Sequence, residues 1–188
     1  MRAFRLALCA VFVALVAAAA TGAEVGGVRI EDRISVGGRA LVLNGAGVRA
    51  KLLVQLYVVA LYLPQPAKDV SAVFAAAPRR IQMNLLHTVP SSEIVDALLD
   101  TMADNSSAAE LAAVKPQTER LVALIKPFGQ VRKGDIVTLD FVDGATNLGW
   151  NGKFRGRIPG EAFNRALIRI WLGDKPVQTD LKRALLGG

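Results

Sequence analysis

A nearly continuous hydrophobic stretch occupies residues 52–63, where only Gln55 and two tyrosine hydroxyls are strongly polar. Its twelve residues are too few to cross a bilayer as a helix, which takes about 20 residues. The β-branched residues and the lack of helix-capping residues predict a strand that is buried on both faces. We therefore expect this stretch to be the central strand of a sheet. A glycine-rich bend at residues 45–47 precedes it and carries Arg49.

Side chains of a strand alternate between its two faces. One face of this stretch is uniformly core-like and comprises Leu52, Val54, Leu56, Val58, Ala60 and Tyr62. The other face places a cation, an amide and a phenol among hydrophobic residues, namely Arg49, Leu53, Gln55, Tyr57, Val59, Leu61 and Leu63. A mostly apolar surface with a few polar groups is typical of a small-molecule cleft. The alternative stays open that Arg49 extends into solvent and Tyr57 is ordinary core, because arginine is seldom buried.

The remaining patterns predict the rest of the fold. Turn signals at residues 37–38, 143–144 and 151–152 predict hairpins, and alternation over residues 80–89 predicts a half-solvated antiparallel strand. A helix is expected after Pro90, with Leu98 and Met102 on its apolar stripe. Strands, helices, strands and helices in this order predict an α+β domain. We expect an antiparallel sheet with helices mainly on one face and a cleft between the two layers.

Residues 1–23 have the layout of a secretory signal peptide. Arg2 and Arg5 precede an uninterrupted run of apolar and small residues that ends just before Glu24. A transmembrane anchor is the alternative, although the run is short for one. We therefore expect export to the periplasm of a single domain, residues 24–188.

Composition and charge narrow the function classes. Cys9 is the only cysteine and belongs to the predicted signal peptide, so the exported domain has no disulfide and no thiol chemistry. The net charge of +7 is spread over small basic clusters without interleaved aromatic residues, which disfavours nucleic acid as a partner. Contact with an anionic membrane surface is compatible with this charge but is not indicated by it. The sequence leaves the oligomeric state open.

Metal and cofactor chemistry is disfavoured as well. His87 is the only histidine, and we expect it to be a hydrogen-bonded core residue. A zinc site needs several histidine, cysteine or carboxylate ligands close together. Gly45 and Gly47 precede a strand rather than a helix, unlike the glycines of a dinucleotide-binding loop. The sequence therefore predicts no metal and no cofactor.

The chemistry that remains is Arg49 beside Tyr57 in an apolar setting. A guanidinium presents a forked set of donors that suits a carboxylate or a developing enolate. A tyrosine hydroxyl adds a second donor. This pair predicts either the binding of an amphipathic acid or the stabilisation of an oxyanion during proton transfer or cyclisation.

Several segments resemble the chalcone isomerase family. Asn44-Gly-Ala-Gly-Val-Arg49 and Tyr57-Val-Val-Ala-Leu-Tyr-Leu63 are similar to the opening part of that family. Asn151-Gly-Lys-Phe-Arg-Gly-Arg-Ile-Pro-Gly160 and Ile170-Trp-Leu-Gly-Asp-Lys-Pro-Val177 resemble the closing half of its bacterial, exported branch. The resemblance covers most of the chain after residue 37. It implies an open-faced β-sandwich, in which a large antiparallel sheet and a helical layer enclose a ligand cleft.

The resemblance also implies roles for individual residues. In plant chalcone isomerases an arginine after the Gly-Ala-Gly segment polarises the enone carbonyl, and Arg49 matches it. The threonine of the next strand falls at Tyr57, the helix tyrosine and asparagine fall near Glu93 and Asp100, and a late threonine falls near Ile170. The hydroxyls used in ring closure are therefore missing. Members that resemble fatty-acid-binding proteins keep the arginine to hold a carboxylate, and this sequence fits them better.

Three hypotheses follow. The leading one is an exported protein that binds a small, fatty-acid-like acid, with Arg49 as carboxylate anchor and Tyr57 as its partner. The residues expected to line the ligand site with this pair are Gln55, Leu53, Val59, Leu98 and Met102. The alternative is an isomerase or intramolecular lyase acting on an enone or aromatic substrate, with Arg49 as electrophile and Tyr57 as acid. The third is an assembly role without a small ligand.

Overall fold

The computed structural model describes residues 22–188. The predicted signal peptide, residues 1–23, therefore lies outside the described residues except for its last two. Within this range the strands are β1 (Gly22–Val25), β2 (Val28–Glu31), β3 (Arg33–Val36), β4 (Arg39–Lys51), β5 (Val54–Leu63), β6 (Arg79–Leu85), β7 (Val89–Pro90), β8 (Gln130–Val131), β9 (Ile136–Val142), β10 (Ala145–Trp150) and β11 (Lys153–Pro159).

The helices of the same range are α1 (Val70–Ala75), α2 (Ser91–Asp104), α3 (Ala108–Ala113), α4 (Lys115–Ile125), α5 (Glu161–Leu172) and α6 (Thr179–Leu185). Their starts follow from the sequence. Asp69 caps α1 by accepting a hydrogen bond from the backbone N–H of Ala72 at 2.9 Å. Ser107 and Glu110 form the capping box of α3 that their spacing predicts. None of the helices in residues 22–188 has the length and apolarity that a membrane span requires.

Seven strands form one antiparallel sheet in the order β11-β10-β9-β6-β5-β4-β3. Strands β9, β10 and β11 form the meander predicted from its two turn signals. The α+β class and the antiparallel sheet with a helical layer are thus confirmed. The prediction that residues 52–63 form the central strand is wrong, because β6 occupies the middle position, with β5 and β9 as its neighbours.

The segment around Arg49 is a hairpin. Strand β4 continues through the glycines as far as Lys51, and the turn falls at Leu52 and Leu53. The predicted bend at residues 45–47 is therefore wrong, and so is the start of the strand at Leu52. Antiparallel pairing sets Arg49 directly opposite Tyr57. Because opposite residues share a face of the sheet, the two side chains are neighbours.

Helix α6 explains why glycines stand in the middle of β4. A Cβ on Gly45 would lie 2.0 Å from the carbonyl oxygen of Ala184, and one on Gly47 would lie 2.8 Å from Cδ1 of Leu181. Next to them, Nδ2 of Asn44 donates a hydrogen bond of 2.7 Å to the carbonyl oxygen of Leu185. The glycines therefore allow the last helix of the chain to lie against β4, and Asn44 holds it there.

The sheet is buried on both faces. Toward the helices, β5 contributes Tyr57, Val59, Leu61 and Leu63 to the main hydrophobic core. Toward the opposite side, it contributes Val58, Ala60 and Tyr62 to a smaller cluster beneath the β1–β2 hairpin. The Tyr62 hydroxyl donates to the carbonyl oxygen of Glu31 at 3.0 Å. The predicted alternation is therefore confirmed from Tyr57 onward.

The alternating strand over residues 80–89 is shorter than predicted. Ile81 and Met83 face the helical core as expected, and Leu85 is buried, but β6 ends at Leu85. His87 lies in the loop that follows and is exposed. The prediction of a core histidine is wrong, because the alternation of residue types continues past the end of the strand.

Candidate functional site

A cavity of about 490 Å³ lies between the helix-facing side of the sheet and α2. Pockets for small molecules span roughly 300–1,000 Å³, so this volume suits a small ligand. Apolar residues from strands and helices form its inner wall, among them Met83, Leu85, Leu121, Ile125, Leu139, Leu148 and Ile170. Arg49 and Tyr57 line the same cavity. The structure thus brings the two predicted anchor residues together within a mostly apolar enclosure.

Arg49 is partly buried in this cavity. Its Nη1 donates to the carbonyl oxygen of Ala50 and, at 3.3 Å, to Oε1 of Gln178. No carboxylate within residues 22–188 forms an ion pair with it. A guanidinium carries five N–H donors, and a carboxylate is their best-matched acceptor. The arginine therefore keeps its charge and most of its donors for an anion in the cavity.

Gln178 holds the backbone on which Arg49 stands. It is the residue just before α6, and its Oε1 also accepts a hydrogen bond from the backbone N–H of Ala50 at 3.1 Å. Its Nε2 donates to the carbonyl oxygen of Val48 at 3.3 Å. One amide side chain thus contacts the residues on both sides of Arg49 and the guanidinium itself. Because the amide is neutral, it orients the arginine without neutralising it.

Tyr57 reaches the cavity from β5 and is partly buried. The indole Nε1–H of Trp171 on α5 donates to its hydroxyl oxygen at 3.3 Å. Burial raises the pKa of Tyr57, although the hydrogen bond from Trp171 and the positive charge of Arg49 oppose this effect. The phenol therefore stays protonated at neutral pH. Since the hydroxyl oxygen accepts from Trp171, its hydrogen serves as a donor.

A β-bulge next to Arg49 selects which side chains of β5 enter the cavity. Arg49 pairs with Tyr57, but Ala50 pairs with Gln55, so Leu56 is an extra residue on the β5 side. Leu56 lines the cavity together with Tyr57. Gln55 then faces away from Tyr57, because the pair that follows Arg49 and Tyr57 lies on the other face of the sheet.

The exposed rim of the cavity carries charges of both signs. Lys51 lies on the β4 side, and Glu93, Asp96 and Asp100 lie on α2. Residues 93, 100 and 170, at which the family resemblance expects a tyrosine, an asparagine and a threonine, all line the cavity. Here they are two carboxylates and an isoleucine.

The other predicted lining residues divide into three groups. Leu98 lines the cavity as expected. Val59 and Met102 face the helical core but are fully buried in it and do not line this cavity. Leu53 and Gln55 are exposed, so their predicted places in the site are wrong: Leu53 forms the tip of the turn and Gln55 is turned away by the bulge.

Sequence reasoning missed Trp171, Gln178 and Leu56. Trp171 carries a signal that was available, because a buried indole usually needs an acceptor for its N–H group. The sequence has no local signal for Gln178, because it lies 129 residues after Arg49 and only the packing of α6 brings the two together. No group of histidine, cysteine or acidic side chains within residues 22–188 is arranged to hold a metal ion. The absence of a cofactor stays a prediction.

Comparisons with known proteins address the fold and the family. A family model described as chalcone isomerase-like matches residues 22–187. Among solved structures, the crystal structure of a fatty-acid binding protein from Arabidopsis thaliana superposes with a TM-score of 0.66 at 12% sequence identity. The alignment covers 85% of this chain and 92% of that chain. At this identity the similarity establishes the fold alone. None of the curated proteins matches the chain.

Proposed function

The chain belongs to the chalcone isomerase-like family, and from this premise we propose that it binds a small, fatty-acid-like amphipathic acid in the cavity between sheet and helices. Arg49 is the carboxylate anchor and Tyr57 donates a second hydrogen bond. The carrying observation is a guanidinium that lines an apolar cavity without a carboxylate partner in residues 22–188. A charge in such a position is costly unless a counter-ion reaches it.

The shape of the cavity supports an amphipathic ligand rather than a compact anion. Beyond Arg49 and Tyr57 the inner wall is formed by aliphatic residues of β6, β9, β10, α4 and α5. An alkyl chain buried there gains about 0.8 kcal/mol per methylene group. The structurally similar Arabidopsis protein, which is described as a fatty-acid binding protein, supports the same ligand class.

The first test is native mass spectrometry of the protein purified from its own cells, which would reveal a co-purifying acid. Displacement of a fluorescent fatty acid then compares the parent with Arg49→Ala and with Arg33→Ala, an exposed arginine on the edge strand β3. We expect Arg49→Ala to weaken binding about 10- to 100-fold, since hydrogen bonds to charged groups contribute about 1.5–3 kcal/mol. Arg33→Ala should bind like the parent. Equal affinity of Arg49→Ala and the parent would refute the proposal.

An isomerase or intramolecular lyase acting on an enone or aromatic substrate is the second candidate. One observation favours it: a protonated phenol lies across from a guanidinium, so the pair offers two donors to a developing oxyanion. Turnover of hydroxychalcones and related enones, lost in both Arg49→Ala and Tyr57→Phe, would establish it. Tight binding of these compounds without turnover would leave the binding function as the better account.

We also propose that residues 1–23 direct export to the periplasm and are then removed. The apolar run after Arg2 and Arg5 supports this assignment. Cell fractionation followed by N-terminal sequencing of the mature protein tests it, with Glu24 as the expected first residue. Recovery of the full-length chain from the cytoplasm would contradict it.

A further inference from the structure

The tip of the β4–β5 hairpin exposes three adjacent apolar side chains. Leu52 is 95% exposed, Leu53 is 100% exposed and Val54 is 42% exposed. Leu52 also has a φ of 55°, in the left-handed region that disfavours residues with a branched side chain. Hairpin turns of this length favour glycine, asparagine or aspartate. Solvation therefore opposes both leucines of the turn, and the backbone conformation opposes Leu52 as well.

This tip lies at one end of the strands of the sheet. Because neighbouring strands run antiparallel, β4 and β5 turn at the edge where β6 ends, β9 begins and β10 meets β11. We call residues 51–54, 86–88, 132–135 and 150–155 the sheet-end surface. It also contains Phe154, an apolar side chain beside the β10–β11 turn that is 68% exposed. The two hairpin tips lie four strand spacings apart, roughly 20 Å.

The charge of the sheet-end surface is strongly biased. Its basic side chains are all exposed: Lys51, Arg132, Lys133, Lys153 and Arg155. The surface has a single carboxylate, Asp135, which already accepts hydrogen bonds of 2.8 Å from the backbone N–H of Arg132 and from Nδ2 of Asn151. The leucine tip and Phe154 are thus set among five cations and one carboxylate, and one of the cations, Arg155, stacks on the rings of Trp150 and Phe128.

We propose that the sheet-end surface docks the protein on an anionic lipid bilayer, with Leu52 and Leu53 inserted among the headgroups. A protein partner is best matched by one continuous apolar patch, whereas separate apolar tips surrounded by lysine and arginine match a charged interface of lipid headgroups. Lys51 and Leu56 lie beside the tip and line the cavity. Docking in this orientation therefore places the Lys51 side of the cavity rim next to the lipid, whereas the acidic side formed by α2 lies outside the sheet-end surface. The proposal does not require the identity of the cavity ligand.

Co-sedimentation of the purified protein with vesicles tests this proposal. We expect binding to vesicles of phosphatidylcholine mixed with phosphatidylglycerol, weaker binding to phosphatidylcholine alone, and a loss of binding as salt screens the charges. The double variant Leu52→Gly/Leu53→Ser should bind mixed vesicles about tenfold less or weaker still. Its melting temperature should hold or rise, because glycine adopts a positive φ without strain.

Leu99→Ser provides the matched control, since Leu99 is a 39% exposed leucine on α2, outside the sheet-end surface. This variant should bind vesicles like the parent. Undiminished binding by the tip variant would overturn the proposal, as would no binding of the parent to mixed vesicles at low salt. A tip variant that dissociates an oligomer while vesicle binding is unchanged would assign the leucines to self-association instead.

Discussion

Two arginines face the helical layer of the same sheet and have different kinds of partner. Arg79, at the start of β6, is 3% exposed. Its terminal nitrogens donate to the carbonyl oxygens of Phe74 and Ala76 and to Oε1 of Glu161, at 3.1, 2.6 and 3.1 Å. Arg49 lies toward the other end of the strands, and its partners are a side-chain amide and a backbone carbonyl. One guanidinium is paired internally, and the other has no carboxylate partner within residues 22–188.

The comparison shows that burial of an arginine does not by itself identify a binding site. Arg79 is the more buried of the two, yet its charge is already balanced by Glu161. The informative feature of Arg49 is the kind of partner it has. Neutral acceptors orient a guanidinium while leaving its charge unpaired, and an adjacent cavity gives a ligand access to that charge. The same substitution at the two positions should therefore have different effects.

The largest effect on the fold is expected for Arg79→Met. It leaves the partly buried carbonyl oxygens of Phe74 and Ala76 without their donor and removes the ion pair with Glu161, which keeps Asn164 and Arg165 as partners. The free energy of unfolding should therefore fall by about 2–4 kcal/mol. Urea denaturation measures this loss. Ligand affinity of the folded fraction should be unchanged, because Arg79 does not line the cavity. A loss below about 1 kcal/mol would remove the contrast on which the comparison rests.

Arg49→Met should produce the converse result. No ion pair within residues 22–188 is broken, so the free energy of unfolding should change by less than about 1 kcal/mol. The affinity for an acidic ligand should fall about 10- to 100-fold, as for Arg49→Ala. Urea denaturation and fatty-acid displacement on the same preparation give both numbers. A stability loss as large as that of Arg79→Met would mean that Arg49 is a structural residue.

Gln178→Glu should give Arg49 a carboxylate partner of the kind that Arg79 has in Glu161. The new carboxylate would stand where Oε1 now lies, 3.3 Å from Nη1 of Arg49, and would compete with the ligand. We expect affinity to fall up to about fivefold while the fold is retained, since exposed to partly buried ion pairs contribute roughly 0–1 kcal/mol. Gln178→Ala serves as control, because it removes the amide without adding a charge and should weaken binding less. Equal effects of the two changes would point to positioning of the backbone alone.

The smallest effects are expected at the two tyrosines of β5. Tyr57→Phe should weaken binding severalfold, since a net hydrogen bond contributes about 0.5–1.5 kcal/mol. Tyr62 lies on the face of the sheet beneath the β1–β2 hairpin, so Tyr62→Phe should leave ligand affinity unchanged. Its effect should appear in the pH dependence of stability instead. Burial, with the nearby Glu31 carboxylate, raises the pKa of Tyr62 from 10.0 to about 12.

The protonated phenol of Tyr62 is thus favoured in the folded state. Its contribution to stability should be complete below pH 10 and should be lost as the pH rises toward about 12. Urea denaturation across this interval should show a shallower decline for Tyr62→Phe than for the parent. Identical profiles would mean that the phenol titrates alike in the folded and unfolded chains.

The parts of the fold that sequence reasoning predicted are those with local chemical signals. The β9–β11 meander follows from aspartate-glycine and asparagine-glycine turns, and both Asp143 and Asn151 adopt the positive φ that such turns require. The α3 start follows from the Ser107 and Glu110 capping box. In each case the residues that give the signal lie within the element that they predict.

The errors around the site have a different origin. Glycines mark turns and also close approaches, and Gly45 and Gly47 serve the second purpose through contacts with α6 that lie far along the chain. The actual turn at Leu52 and Leu53 has no turn residues. Counting along a single strand predicts that Arg49 and Tyr57 share a face. They do share one, but because a hairpin and a bulge set them opposite each other on two strands.

The packing of α6 against β4 has a consequence for the order in which the proposed site assembles during synthesis. Asn44 and Leu185 are 141 residues apart, and Arg49 and Gln178 are 129 apart. During synthesis the hairpin that bears Arg49 emerges well before Gln178, whose side chain accepts a hydrogen bond from the Arg49 guanidinium. Because α6 also contributes Leu181 and Leu185 to the core, we expect a truncation before Gln178 to weaken both the fold and the proposed ligand binding.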